Sequence, residues 1–522
     1  MKKQYGREQK YICYIKYICY IIYILSPILL LLALSFISGH NAFSGKPIPY
    51  FIWNDEVGYW KDVVSFAERG FKTGYIGINE LIPKVGQFST HGFFPAFFYY
   101  PFAKILSWPV NGIVISNLIF TIICFALIII IYRPSISQTV MLTCLYSFFS
   151  PIILFAETSM TEIVNYGFLA LFFVFFYKYC NAEGKNRKYF LILTILAGTV
   201  CSFYRIIYIV LFILPILVLS DFKPKKFIRL LFPYALYSGF LYYITSIFTA
   251  PYQLGVLYNI THAPNIKSAI KVLFINCKAN IRNLFSITNG TKLEVGLRLL
   301  YVLVLTIYLL CIFLDFAFKK YKGQKDSVLI LSLKEKFNKF YILQSALLLL
   351  PLLIIIAIYD IHSCREFRSL SPFLWISFFN LIIYKKTLAL KVFKPIFIMF
   401  FIFSVIFWPK NFYMNNERYS AVEKKDFTLI KNVVQYEEDA DDPFENTIAT
   451  NVPFDFELWS NLEPGIGIEF LMPDFELESC KSKYLLINKD KNEEDDENIE
   501  IAGYENKGKT DFGYLYVRKG AN

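Results

Sequence analysis

From its amino terminus the chain alternates between long apolar runs and short polar joints. Runs able to cross about 30 Å of hydrocarbon lie at 17–38, 110–132, 137–155, 163–179, 189–203 and 206–220, then at 230–250, 297–317, 340–358, 370–384 and 392–408. Only helices and closed barrels satisfy every backbone polar group in lipid, and runs of this length fit helices. The pattern predicts an α-helical polytopic membrane protein with about 11 transmembrane helices. Only Tyr204 and Arg205 separate 189–203 from 206–220. The first run follows Lys2, Lys3, Arg7, Lys10 and Lys16 and lacks a small-residue cleavage site, which predicts an uncleaved anchor.

Charge then orients the spans. Alternation puts Arg133, the 178–188 loop, Lys223, Lys225, Lys226 and Arg229, the 319–339 loop, and Lys385 with Lys386 on the N-terminal side, the cytoplasm by the positive-inside rule. Without a break at Tyr204 and Arg205 the later basic loops would fall outside. On the outer side lie a long first loop at 39–108, the turn at 157–162, a loop at 251–296, the turn at 359–368 and the C-terminal tail. From about residue 410 the composition changes to a helical stretch near 417–436, acidic runs and strand-like runs at Thr447 to Val452, Tyr484 to Ile487 and Tyr514 to Val517. The expected domains are 1–409, a transmembrane catalytic unit, and 410–522, a small soluble extracytoplasmic α/β unit. Within the first loop, the stretch after Asp55 and the stretch Phe93 to Ile105 carry apolar residues at helical spacing, so two amphipathic juxtamembrane helices are expected in the interface plane.

Composition narrows the function classes. Of 522 residues, 56% are hydrophobic, far more than a soluble chain of this size needs, so lipid is the main solvent. The net charge of +12 sits in short loops as orientation signals and not in a basic tail, which argues against nucleic acid as a partner. Ten cysteines lie mostly in apolar runs without metal or redox spacing. Cys277, Cys364 and Cys480 fall outside the membrane in this topology; free thiols are the simpler expectation, with one disulfide as the alternative. His40, His91, His262 and His362 show no ligand spacing, so no metal residues are assigned. No cofactor is required by the sequence, and a divalent cation is compatible with it. High Ile, Phe, Tyr, Lys and Asn usage points to an AT-rich genome and a bacterial inner (plasma) membrane.

The candidate chemistry collects on the outer side. Asp55 and Glu56 stand directly before a helical run, where carboxylates suit the helix dipole. They serve either as an N-terminal cap or, at a membrane surface, as a general base on an acceptor hydroxyl. Glu157 and Glu162 flank Ser159, Met160 and Thr161; they either mark helix ends or support the acceptor, with Glu157 the stronger candidate at the exit of its span. Arg205, Arg365 and Arg368 lie at the outer interface against the positive-inside bias, where guanidinium pairs suit a phosphate. The alternatives for them are snorkelling to headgroups or pairing with Asp360 and Glu366. His91, in the sequence STHGFFP, is a substrate contact or a structural polar group.

The acidic pair followed by Tyr59 and Gly70, and then THGFFPAFFYYPFAKI, resembles the first periplasmic loop of GT-C superfamily glycosyltransferases, in particular the protein O-mannosyltransferase and aminoarabinose transferase branch. The order of parts is also similar across most of the chain: long first loop, short acidic second loop, the REFRSLSP turn and a soluble C-terminal unit. The chain departs from that pattern in having fewer spans and in a proline-rich stretch reduced to Pro95. The resemblance implies an inverting transfer of sugar from a polyprenyl-phosphate-linked donor to a glycan, lipid or protein acceptor at the outer face. It implies Asp55 as catalytic base with Glu56 beside it, and Arg365, Arg368 and, more loosely, Arg205 as holders of the donor phosphate. Tyr59, His91, Glu157 and Glu162 are then supporting or acceptor-side residues.

Two other readings compete. A polysaccharide polymerase or ligase using lipid-diphosphate-linked glycans also needs outer arginines but no acidic pair in the first loop. A transporter would carry mid-membrane charges and related halves, whereas the spans here are almost free of buried charge and the halves are not alike.

Overall fold

The computed structural model describes residues 2–38, 43, 54–73, 76–81, 84–89, 91–250, 256–288, 290–321, 328–359, 368–384, 395, 398–399, 402, 425–452, 456–488 and 500–520. The chain is mostly helical, with a small mixed sheet. Among the described residues six helices are long and apolar enough to cross a membrane: Tyr11–Ile37, Gly112–Tyr132, Glu162–Asn181, Pro224–Ile247, Lys292–Leu314 and Lys339–Ile358. They mark a membrane-embedded protein.

The remaining apolar runs take other forms. Run 137–155 is divided into Ile136–Ser147 and Ser150–Phe155, with Pro151 at the start of the second piece, where a missing N–H costs nothing. At Arg205 the backbone is extended, so the helix Gly184–Tyr204 ends there and a 3-10 helix, Ile206–Phe212, follows. Ser371–Tyr384 is apolar but short, and the run 392–408 lies almost entirely outside the described residues.

In chain order, α1 is Lys2–Ser38, α2 Asn54–Arg69, α3 Phe94–Leu106, α4 Gly112–Tyr132, α5 Ile136–Ser147, α6 Ser150–Phe155, α7 Glu162–Asn181 and α8 Gly184–Tyr204. Then come α9, Ile213–Leu219; α10, Pro224–Ile247; α11, Val256–Thr261; α12, Ile266–Phe285; α13, Lys292–Tyr321; and α14, Val328–Ile358. α7 forms the centre of the bundle, packed against α4, α8 and Ser371–Tyr384. Gly198 of α8 lets Phe172 and Phe212 approach: a Cβ there would meet the Phe212 ring at 2.8 Å.

Both first-loop helices form where their periodicity places them. α2 buries Val57, Tyr59, Trp60 and Val63, and α3 opens with Pro95 in its first turn and ends where Ser107 turns left-handed. The strands are β1 (Ile76–Ile78), β2 (Thr447–Thr450), β3 (Gly467–Phe470), β4 (Tyr484–Ile487), β5 (Tyr504–Thr510) and β6 (Gly513–Arg518), in the order β1-β3-β2-β4-β6-β5. The first four of that order are parallel, and β4, β6 and β5 run antiparallel.

The sheet therefore takes one edge strand from the first loop, with Ile76 opposite Ile468 and Ile78 opposite Phe470. Gly77 lies close against Glu469 at that edge: an added Cβ would come 2.7 Å from both carboxylate oxygens, so the buried carboxylate would have to shift. The carboxylate of Glu80 accepts the backbone N–H of Ser482 at 2.8 Å and its hydroxyl at 2.7 Å. Lys61, buried on α2, donates its ammonium to the carbonyls of Leu462 and Glu463, each at 2.9 Å. Arg69 lies over the Tyr436 ring and pairs with Glu438 at 2.6 Å and Glu463 at 3.0 Å. The C-terminal sheet and α2 are thus fastened by polar contacts, of which the bond from Lys61 to Leu462 is buried and the Arg69–Glu438 pair exposed. Lys61→Ala takes the ammonium from the buried Leu462 carbonyl, while that of Glu463 keeps the N–H of Ile466 at 3.2 Å; we expect a loss of about 1–3 kcal/mol, read as faster amide hydrogen exchange over 462–470 in the full-length protein.

Candidate functional site

The site grows from the N-terminus of α2, where Asp55 and Glu56 occupy the first turn, the positive end of the helix dipole. Their side chains diverge. Glu56 is buried and accepts the backbone N–H of Ser159 at 2.7 Å. It holds the 157–161 turn against α2, and Asn117 of α4 holds the same turn from beneath by donating to the Met160 carbonyl at 2.8 Å. Asp55 faces Arg368, whose Nη2 lies 2.9 Å from its Oδ2.

Arg368 also lies 3.2 Å, through Nε, from Oε1 of Glu162. The same oxygen takes Nη2 of Arg205, whose Nη1 donates to Ser369 Oγ at 3.1 Å. Three separate stretches of chain thus converge on one carboxylate: the first residue of α7, the helix break after α8, and the segment before Ser371–Tyr384. Secondary contacts fix the last of these. Ser371 Oγ donates to the Arg368 carbonyl at 3.2 Å and lies 3.1 Å from the Tyr166 hydroxyl.

Burial is graded along this strut. The Glu162 side chain is 1% exposed and that of Arg205 6%, whereas Arg368 is 18% and Asp55 26% exposed. Desolvating such ions costs several kcal/mol each unless they pair, and two carboxylates against two guanidiniums leave the cluster without net charge. Oε2 of Glu162, Nε of Arg205 and the hydroxyl of Tyr59 are buried without a hydrogen-bond partner among the described residues, so the cluster keeps unused polar capacity. Partial burial pushes the Asp55 carboxyl up, but Arg368, His91 and Arg205 outweigh it and hold the group below the usual carboxylate range. Asp55 is accordingly an ionised carboxylate at the open end. Burial and the neighbouring carboxylates of Asp55 and Glu162 push the Tyr59 phenol well above its ordinary value, which keeps it protonated.

His91 stacks on Tyr59, ring centroids 5.7 Å apart and nearly parallel. Its loop is held by Asp62, which accepts the N–H of Ser89 at 2.9 Å and its hydroxyl. On its other side, Phe88 exchanges backbone bonds with Phe248 at 2.8 Å and Ala250 at 2.7 Å after α10. Asp62 went unrecognised in the sequence, although it stands seven residues after Asp55, on the same helix face. Ser369 had no signal beyond its neighbour Arg368.

Of the residues expected at the site, Asp55, Tyr59, His91, Glu162, Arg205 and Arg368 meet. Glu162, rather than Glu157, lies between the guanidiniums; Glu157 is met by the Ser35 hydroxyl of α1 at 3.3 Å. Arg368 pairs with Asp55 and Glu162, whereas Arg365, Cys364, Asp360 and Glu366 lie outside the described residues. Cys277 and Cys480 are free thiols. Among the described residues no group of three His, Cys, Asp or Glu is placed to hold a metal ion.

Such an arrangement can take a proton at Asp55 and hold an anion at the guanidiniums. Compared with models of known protein families, with characterised proteins and with solved structures, the chain matches none.

Glu162→Gln removes the anion shared by two arginines, and we expect a loss of about 3–5 kcal/mol, measured as thermal unfolding in detergent. Asp62 gives a pH signature. Burial pushes its carboxyl up to about 7, against the opposing hydrogen bonds from Ser89. A group raised on folding stabilises most below its unfolded value, near about 3.9 for Asp, and loses that contribution as the pH rises through about 7. Asp62→Asn should flatten stability across that window, read as the pH dependence of the melting temperature.

Proposed function

We propose that the chain is a membrane glycosyltransferase of GT-C type that moves a sugar from a polyprenyl-phosphate-linked donor to a glycan, lipid or protein acceptor on the outer face of a bacterial plasma membrane. In this reading about eleven segments cross the bilayer, the N-terminus is cytoplasmic, and the C-terminal sheet and first loop lie outside. The observation that carries it is an ionised, partly exposed carboxylate, Asp55, at the open end of a buried strut containing two arginines.

The chemistry follows from those groups. Asp55 accepts the proton of an acceptor hydroxyl, whose oxygen attacks the anomeric carbon of the donor sugar. The bond from that carbon to the phosphate oxygen breaks with its electron pair, and the configuration inverts. The departing lipid phosphate gains negative charge, which Arg368 and Arg205 neutralise. Since Arg368 also holds Asp55, a phosphate drawing on that guanidinium loosens its grip on the carboxylate and raises its basicity. Tyr59 and His91 line the approach to Asp55.

The test is transfer from a panel of synthetic polyprenyl-phosphate sugars by purified protein in detergent, with and without chelator. We expect wild type to transfer at least one sugar and Asp55→Asn to lose about 10²–10⁴-fold in kcat. Arg368→Ala should weaken use of the same donor and, unlike Asp55→Asn, raise its KM. Unimpaired transfer by Asp55→Asn, or activity confined to lipid-diphosphate-linked glycans, overturns the reading.

A further inference from the structure

α12 lies in the loop that precedes α13 and carries three distinct stripes. Stepping about 100° per residue, Asn276, Asn280 and Asn283 share one face and are buried. Nδ2 of Asn276 donates to the carbonyls of Ala357 at 3.0 Å and Tyr359 at 2.9 Å, and Nδ2 of Asn280 donates to that of Tyr359 at 3.1 Å. These carbonyls close the end of α14, where a helix leaves its last acceptors unpaired. The asparagine face therefore lays α12 across the end of a membrane-spanning helix.

A second stripe, Ile266, Ile270, Phe274, Ile281 and Phe285, points away from the protein, with Ile266 80% and Phe274 69% exposed. Beside it runs a third stripe of Lys267, Lys271, Lys278 and Arg282, all exposed. No aspartate or glutamate occurs between residues 251 and 293, so these cations have no acidic neighbour in their own loop.

The level of the helix relative to the bilayer follows from its ties. Arg298 of α13 donates to the carbonyl of Ser286, directly after α12, at 2.7 Å. The hydroxyl of Tyr301 on α13 donates to Leu348 of α14 at 2.6 Å, so the start of α13 lies beside the end of α14. Since both of these helices are long and apolar enough to span a membrane, α12 sits at their common end, where hydrocarbon gives way to headgroups. A helix there, with an apolar stripe flanked by cations, suits an acyl boundary capped by phosphates.

We propose that α12 is a docking helix for anionic phospholipid: its apolar stripe enters the acyl boundary, and Lys267, Lys271, Lys278 and Arg282 bind headgroup phosphates. A second copy of the chain is a poor occupant, because it would set four cations against four. The proposal is independent of the glycosyltransferase reading and is tested without any transfer assay.

The experiment places a photo-crosslinking benzoylphenylalanine at position 274 of the full-length protein, in nanodiscs of phosphatidylcholine with a minor share of phosphatidylglycerol. The captured lipid is identified by mass spectrometry. The same probe at Leu236, 61% exposed on α10, reports a lipid-facing position without the cation stripe. We expect phosphatidylglycerol among the adducts at 274 to exceed its bilayer share by about fivefold, and at 236 to follow that share. The combined change Lys267→Gln, Lys271→Gln, Lys278→Gln and Arg282→Gln should return position 274 to the bilayer share and leave position 236 unaltered, which also shows that the variant is folded. Bulk-proportion capture at 274 with the cations intact, or capture of protein in place of lipid, overturns the proposal.

Discussion

The buried carboxylate of Glu162 is the constraint around which one end of the bundle is arranged. It stands at the start of α7, the most enclosed of the six long apolar helices found among the described residues, and both Arg205 and Arg368 reach it. Each guanidinium comes from a place where regular helix is interrupted: Arg205 at an extended break, Arg368 directly ahead of a new helix. An ion at such depth requires its counter-ions to be fixed. The end of α8 and the segment before Ser371–Tyr384 therefore meet at one oxygen atom, and Arg368 passes the link on to Asp55 at the N-terminus of α2.

Much of this was legible in the sequence because it follows from local rules. The two first-loop helices appear within about a residue of their periodic patterns, and β4 spans the same four residues as its apolar run. The break at Arg205 follows from charge, since a continuous helix would place later lysines on the wrong side. Asp55, Glu162, Arg205 and Arg368 were each conspicuous as charges at apolar boundaries, yet only folding shows that they share one cluster.

What escaped was stabilised at a distance. β1 is three residues long, too short to carry a period, and its strand conformation comes from partners near the far end of the chain. Asp62 has an ordinary place on an amphipathic helix; its importance comes from the Ser89 loop it closes. α12 does carry its apolar stripe at helical spacing, but the asparagines that define its inner face have no meaning without the end of α14 to cap. Polar residues whose partners are carbonyls leave no complementary charge to search for.

The insertion of β1 into the sheet has a bearing on biogenesis. Lys61 and its carbonyl partner at Leu462 are 401 residues apart, so the chain must be synthesised almost to its end before α2 acquires its buried ammonium contacts. Until then β1 lacks its partner β3, and the Lys61 ammonium lacks its two carbonyls. Domains generally fold in order from the N-terminus during synthesis, whereas the contacts of α2 with Leu462 and Glu463 need the C-terminal part of the chain. A chain cut short before β3 lacks the strand that pairs with β1 and the carbonyls that take the Lys61 ammonium.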